Sequence, residues 1–150
     1  MEKQKAVIIT TEGNKSVVDF DFGNSYQVLS DAVGGMIECV GLKDADLWCN
    51  ENGIAESLEL NMIASAIYSE AFNASNPILG NVIITGGVDA EGETLGLTDE
   101  QVAYWLEYNK RRQRLGRISI ALQPLLQPPR HPKNAWACMR QPRSFQSTNW

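Results

Sequence analysis

Residues 29–40 constrain the fold more than any other stretch, because two adjacent glycines are followed there by a β-prone run. Gly34 and Gly35 suit a backbone that turns sharply, since glycine reaches positive φ without a steric penalty. Residues 36–42 are mostly apolar and favour a strand, with one carboxylate at Glu38. The pattern predicts a helical turn that stops at the glycines and leads into a strand.

Two β-prone runs precede the glycines and predict a hairpin. Residues 5–11 form the first run, and residues 16–22 alternate between apolar and acidic side chains, which is typical of a strand with one solvated face. Residues 26–29 are expected to be extended again. Ser30 or Asp31 can then cap the short helical turn.

The chain after the glycines predicts further strands. Residues 47–50 favour a short strand, and residues 51–53 read Glu-Asn-Gly, a hairpin-turn signal that leads into a predicted extended segment, 54–60. The continuous apolar run within residues 78–87 predicts a strand covered on both faces. Residues 88–97 predict an acidic loop.

Two longer helices are predicted, each with a start signal. Asn61 is the expected N-cap of the first, and Thr98 with Gln101 forms a capping box at the start of the second. Gly116 is the expected stop of the second helix. The predicted buried positions of the two helices are Met62, Ile63, Ala66, Ile67 and Ala71, then Val102, Trp105 and Leu106.

Together these patterns predict an α+β fold, with a curved, mostly antiparallel sheet and two main helices. All 18 acidic residues lie at or before Glu107, so residues 1–108, with four lysines, carry −14, whereas residues 109–150 carry +9. We therefore predict an acidic domain over residues 1–116. The remainder, 117–150, reads as an irregular Pro/Arg-rich tail, poorly ordered or the product of a shifted reading frame.

Several catalytic and metal chemistries are disfavoured by the residue inventory. The single histidine, His131, lies in the tail, which removes a two-histidine metal site and argues against a histidine-dependent triad. Cys39, Cys49 and Cys138 are an odd number without a C-x-x-C spacing, so we interpret them as two core residues and one tail thiol. We expect no catalytic residues, no metal and no cofactor.

Two local motifs have alternative interpretations. Asp89 and Glu100 match positions 1 and 12 of a calcium loop, but position 6 is Thr94 instead of glycine, so a solvated acidic loop is favoured. Gly86 and Gly87 follow a strand without any phosphate-loop motif, which favours a bend at the strand end. A small-ligand site at the two glycine pairs stays open as an alternative.

The charge distribution bears on possible partners. Residues 110–117 hold a basic cluster, but the charge of the preceding domain opposes duplex binding, so we do not expect direct nucleic-acid binding. A strongly negative domain can instead imitate a DNA backbone and occupy basic grooves of other proteins. The acidic residues predicted to contact a partner are Asp89, Glu91, Glu93, Asp99 and Glu100.

The order of several short motifs resembles an uncharacterised family of small domains, a domain of unknown function common in phages, plasmids and their bacterial hosts. Residues 33–38 match its V-G-G-x-I-E core, residues 50–53 its N-E-x-G turn, and residues 78–84 its I-x-G-N/T strand. The end of the family resembles residues 89–101, and the likeness covers about residues 5–108. The resemblance implies a mobile-element setting and supplies no catalytic residues.

From the resemblance and the acidity we expect a non-enzymatic phage or mobile-element accessory protein that binds a host protein. An inhibitor of a bacterial defence system, of the anti-CRISPR or antirestriction type and working by acidic DNA mimicry, is one version of this function. The alternative is a small-ligand or nucleotide-binding domain. No apolar run reaches the ~20 residues that cross a bilayer, and residues 6–9 are too short for a signal-peptide core, so we expect no membrane contact and a place in the host cytoplasm.

Overall fold

The central element is a five-stranded sheet with helices on both faces. The computed structural model describes residues 3–119, and side chains are described for residues 3–110. The elements are β1 (Gln4–Ile9), β2 (Lys15–Phe20), a 3-10 turn (Phe22–Asn24), α1 (Ser25–Val33), β3 (Ile37–Gly41), β4 (Asp46–Asn50), α2 (Met62–Phe72), β5 (Val82–Thr85), β6 (Gly87–Val88), β7 (Thr94–Leu95) and α3 (Asp99–Ser119). The predicted α+β class is confirmed, and the short helical turn predicted before Gly34 is the end of a third helix, α1.

The sheet runs in the order β2-β1-β5-β4-β3, and every neighbouring pair is antiparallel. The predicted β1–β2 hairpin is confirmed, with Gln4 opposite Phe20 and Ile9 opposite Lys15. All four residues of the central strand β5 are buried, so the prediction of a strand covered on both faces is also confirmed. β6 and β7 form a separate small hairpin where the sequence indicated only a loop.

One face of the sheet is covered by α1. Leu29 and Val33 lie one helical turn apart, each only 3% exposed, and share an apolar cluster with Trp48 and Ile83 of the sheet. The Trp48 Nε1 group donates a hydrogen bond to the Thr85 hydroxyl at 2.9 Å, which satisfies the buried indole. We call this side of the molecule the α1 face.

The opposite side, the α2–α3 face, is covered by two helices and contains the larger cluster of buried residues. Its sheet residues include Val7, Leu47 and Ile84, and its helix residues include Ile67 and Trp105. A groove remains between the two helices.

The prediction of an extended segment at residues 26–29 is wrong, since these residues belong to α1. Their β-prone tyrosine and valine misled the interpretation, because tertiary burial of one helical stripe outweighs a weak propensity. The capping role predicted for Ser30 is wrong too, because its hydroxyl donates to the Gly35 carbonyl at 2.8 Å, at the end of the helix. The predicted stop at the glycines is confirmed: Gly34 has φ +75°, and its N–H donates to the Ser30 carbonyl.

Two further predictions about local structure are wrong. Residues 51–57 form consecutive turns, with Leu58 N–H donating to the Gly53 carbonyl, and Leu60 forms an isolated bridge with Leu79 instead of belonging to a strand. Ile54 is 78% exposed, so no burial holds this segment in a sheet. The helix predicted to stop at Gly116 continues to Ser119, which places Gly116 inside α3.

Both predicted helix starts are confirmed by their hydrogen bonds. The Asn61 side chain accepts from Ala64 N–H at 3.0 Å, and its amide donates to two buried carbonyls. In α3 the Thr98 hydroxyl accepts from Gln101 N–H while the Gln101 side chain accepts from Thr98 N–H. The predicted buried faces were partly wrong, because Met62, Ala71 and Leu106 are exposed, whereas Tyr68 and Tyr108 are buried. No helix within residues 3–119 combines the length and apolarity that crossing a bilayer requires.

Candidate functional site

The residues predicted to contact a partner lie together at one end of the sheet. Asp89, Glu91 and Glu93 belong to the β6–β7 hairpin, and Asp99 and Glu100 begin α3. The hairpin and the start of α3 are held at the same end, because they are joined directly in sequence by residues 96–98 and both adjoin β1.

Two of these five carboxylates are engaged within the fold. Asp89 Oδ1 accepts from the N–H groups of Glu91 and Glu93 at 3.0 and 2.8 Å, which builds the hairpin turn. Asp99 forms a 2.7 Å ion pair with Lys5, and that hydrogen bond lowers the pKa of the Asp99 carboxyl. Glu91, Glu93 and Glu100 are exposed, and Asp99 faces solvent as well despite its ion pair, whereas Asp89 is half-buried.

The geometry of this loop also bears on the calcium interpretation. Asp89 Oδ1, which would be the first ligand, is already used by two backbone N–H groups. Within the described residues no group of three or more His, Cys, Asp or Glu side chains is placed to hold a metal ion. His131 and Cys138 lie outside those residues.

The two glycine pairs lie at opposite ends of the sheet, so one ligand site does not use both. Gly35 packs beside Asn50, at the end of β4, whereas Gly86 follows Thr85, which is opposite the start of β4. A Cβ on Gly86 would lie 2.1 Å from the Gly96 carbonyl oxygen, so Gly86 serves a close approach of two backbones, as the predicted bend requires.

A cleft of about 340 Å³ lies beside Gly34, which belongs to one of the two glycine pairs of the small-ligand hypothesis. Asp31 and Glu59 bring carboxylates to its lining, and Thr11 N–H donates to the Asn81 side chain at 3.1 Å on its wall. The cleft thus combines acidic groups with apolar side chains such as Leu58.

A larger cavity of about 580 Å³ lies between the two helices of the α2–α3 face. We call it the α2–α3 groove. Its lining combines an apolar floor with a few polar groups and comes from three segments that are distant in sequence. The lining residues are Leu42, Lys43, Asp44, Ala45, Ile67, Glu70, Ala71, Gln101, Tyr104, Trp105 and Tyr108.

Three aromatic side chains of α3 give the groove its character. Trp105 and Tyr108 are 8% and 5% exposed, whereas Tyr104 is 41% exposed. The Tyr104 ring meets the Trp105 ring edge-on, with centroids 4.9 Å apart, and the Trp105 and Tyr108 centroids are 5.6 Å apart. A rigid aromatic wall with one accessible ring is the kind of surface that anchors a partner side chain.

Hydrogen bonds hold the walls of the groove in place. The Tyr108 hydroxyl donates to the Glu70 carboxylate, which ties α3 to α2. The Gln101 amide donates to the Asp44 carbonyl at 3.0 Å, which ties α3 to the β3–β4 loop. The same Gln101 side chain closes the capping box, so the start of α3 and the position of the loop are coupled. The groove is therefore formed before any ligand arrives.

A comparison with known protein families identifies the family of this chain. Residues 4–110 match the family described as "Domain of unknown function (DUF3846)". The chain belongs to this family. No curated protein and no solved structure matches. The DUF3846 match spans every residue that lines the α2–α3 groove and also the five acidic residues discussed above.

The DUF3846 domain has one further polar cluster on its α2–α3 face. The pKa of the half-buried Glu38 carboxyl is raised, mainly by burial and to a smaller extent by the charge of Glu51. Cys49 Sγ lies 4.0 Å from Glu38 Oε2, and burial followed by the Glu38 charge raises the pKa of this thiol to about 12. Both predicted core cysteines of the described residues, Cys39 and Cys49, are confirmed as buried.

The Tyr68 hydroxyl lies near this cluster and is buried without a hydrogen-bond partner among the described residues. Burial, and then the Glu38 charge, raises the pKa of the phenol. Cys49 and Tyr68 are thus both protonated at neutral pH, and a protonated thiol is a poor nucleophile. The cluster does not line the α2–α3 groove.

Sequence reasoning missed most of the groove. It identified Trp105 as buried, but it did not single out Tyr104, Tyr108 or Glu70. Spacing along α3 could have suggested Tyr108, which lies three residues after Trp105 on the same helical stripe. The contribution of Glu70 and of the β3–β4 loop depends on tertiary placement and leaves no local signal.

Proposed function

We propose that this DUF3846 chain is a non-enzymatic accessory protein of a phage or other mobile element, acting in the host cytoplasm by binding a host protein through the α2–α3 groove. The observation that carries the proposal is the preformed groove with Tyr104 exposed above a floor that includes buried Trp105. Interfaces are commonly anchored by a few aromatic residues in well-packed surroundings.

The charges around the groove indicate the chemistry of the partner. Asp44 and Glu70 contribute carboxylates to the lining, and Lys43 contributes a cation. Glu100 lies next to Gln101, and Gln101 itself contacts the Asp44 carbonyl. A partner that places an apolar side chain against Tyr104 and Lys or Arg side chains at this rim matches the surface in shape and in charge.

The counter-defence version of this proposal concerns nucleic-acid-binding host proteins. Such proteins carry basic grooves, and the exposed Glu91, Glu93 and Glu100 lie at one end of this domain, where they can enter one. Within the described residues, further exposed carboxylates, including Asp31 and Glu59, lie at the other end. Association driven by these charges weakens as salt rises from about 0.1 to 0.5 M.

The test uses the 150-residue chain as bait in a bacterial host lysate, with captured proteins identified by mass spectrometry. We expect a protein that Tyr104→Ala retains at least about tenfold less. Tyr26→Ala is the matched control, because Tyr26 is also exposed but lies on α1, across the sheet. Capture of nothing, or equal capture by Tyr104→Ala, would contradict the proposal.

The second candidate is a small-ligand or nucleotide-binding domain. The groove volume of about 580 Å³ lies within the ~300–1,000 Å³ of typical ligand sites, and an aromatic wall can stack a planar ring. Thermal shift against a nucleotide panel distinguishes the candidates, since a ligand that binds the folded state raises the melting temperature. No stabilisation by any member of the panel would remove this candidate.

A further inference from the structure

The α2–α3 groove exposes an aromatic ring in acidic surroundings. Tyr104 is 41% exposed, although the ring contacts Trp105 on one side. Glu107 and Glu100 are exposed on the same helix, and Glu70 lines the groove from α2. An occupant that covers this surface well is apolar at its centre and positively charged around it.

The same chain contains such a segment after α3. Residues 130–143 hold Arg130, Lys133, Arg140 and Arg143 and no acidic residue, and Trp136 lies among them. The acidic domain and this segment therefore carry opposite charge. Exposed ion pairs contribute little individually in water, so an aromatic contact is the natural anchor of such an association.

The chain length also permits the contact. Tyr104 is 15 residues before Ser119, so the groove lies about 22 Å along the helix axis from the last described residue, at a rise of about 1.5 Å per residue. Trp136 follows Ser119 by 17 residues, and a chain of that length can span up to about 60 Å. A tether that is long enough to span this distance raises the local concentration of the segment at the groove.

From these three observations we propose that residues 130–143 bind the α2–α3 groove of their own chain, with Trp136 packed against Tyr104. The regulatory consequence rests on the proposed function: a segment bound there competes with the host protein for Tyr104. The contact itself does not depend on a host protein and is tested without one.

The experiment places a cysteine in the groove and measures disulfide formation with Cys138, two residues from Trp136. The 150-residue chain carrying Ala71→Cys is oxidised with Cu(II)-phenanthroline, because Ala71 lines the groove and is exposed. Ala55→Cys is the matched control, since Ala55 is also exposed but lies in the turns beyond β4, away from the groove. The native Cys39 and Cys49 are buried and stay in place.

We expect the intramolecular 71–138 disulfide to form at least about tenfold faster than the 55–138 disulfide. Adding Trp136→Ala should lower the rate for Ala71→Cys to that of the control, while circular dichroism and the urea midpoint stay unchanged. Equal rates for the two cysteine variants would overturn the proposal. Disulfides found only between two molecules would overturn it as well, by making a second copy the occupant.

Discussion

The two faces of the sheet are built differently, and the difference indicates where binding is to be sought. On the α1 face, α1 packs Leu29 and Val33 against the sheet. On the α2–α3 face two helices cover the sheet and leave a groove of about 580 Å³ with Tyr104 exposed. The α1 face thus carries stability, and the α2–α3 face combines stability with an accessible surface.

The largest effect on stability is expected from a substitution that creates a cavity in the core under α1. Leu29→Ala removes a side chain that is only 3% exposed, so we expect the free energy of unfolding to fall by about 3 kcal/mol, measured by urea denaturation. Leu106→Ala is the control on an exposed leucine and should change it by less than about 0.5 kcal/mol. Similar losses for both variants would contradict the assignment of Leu29 to the core.

The next effect concerns the glycine that ends α1. Gly34→Val should cost about 1–2 kcal/mol in unfolding free energy, because Gly34 has φ +75° while the space around its Cβ position is open. Gly23→Val is the matched control, since Gly23 is equally open but has no positive φ. Equal stability of Gly34→Val and the wild type, together with lost partner binding, would show that Gly34 contacts the partner.

The sequence predicted those parts of the fold that local chemistry decides. The capping box of Thr98 and Gln101, the Asn61 cap and the β1–β2 hairpin each have a signal within a few residues, and each was confirmed. The first part of helix α1 was missed because the β-prone residues 26–29 become helical only through packing of Leu29 and Val33, whereas the stop of the helix at Gly34 was predicted. The groove was missed because the β3–β4 loop, α2 and α3 meet only in the folded chain.

A smaller effect should separate folding from binding on the α2–α3 face. Tyr104→Ala removes an exposed ring, so we expect less than about 1 kcal/mol of lost stability by urea denaturation, together with the loss of host-protein capture. A loss as large as that of Leu29→Ala would mean that Tyr104 belongs to the core, and the comparison between the faces would fail.

The smallest effect tests the polar cluster under the α2–α3 face. Burial raises the pKa of Glu38, so between its unfolded and folded pKa the folded state binds more protons, and stability falls as pH rises. Glu38→Gln removes this charge and should be more stable than wild type at pH 7. Below pH 4.5, the ordinary pKa of a glutamate, the difference in stability between the variant and wild type should disappear, because wild-type Glu38 is then protonated in the folded and the unfolded state.

Urea titrations of Glu38→Gln and wild type at pH 4 and pH 7 measure this difference. Glu91→Gln serves as the control at an exposed carboxylate on the β6–β7 hairpin. A variant that is less stable than wild type at pH 7, or a gain of the same size at both pH values, would contradict the burial of a charged Glu38.

The central claim is that the α2–α3 face, and not the α1 face, binds the partner. Hydrogen–deuterium exchange of the chain, with and without the captured host protein, tests this most directly. We expect slower exchange on binding in residues 42–45, in residues 67–71 and in residues 101–108, with α1 (Ser25–Val33) unchanged. Slower exchange confined to α1, with the groove segments unaffected, would contradict it.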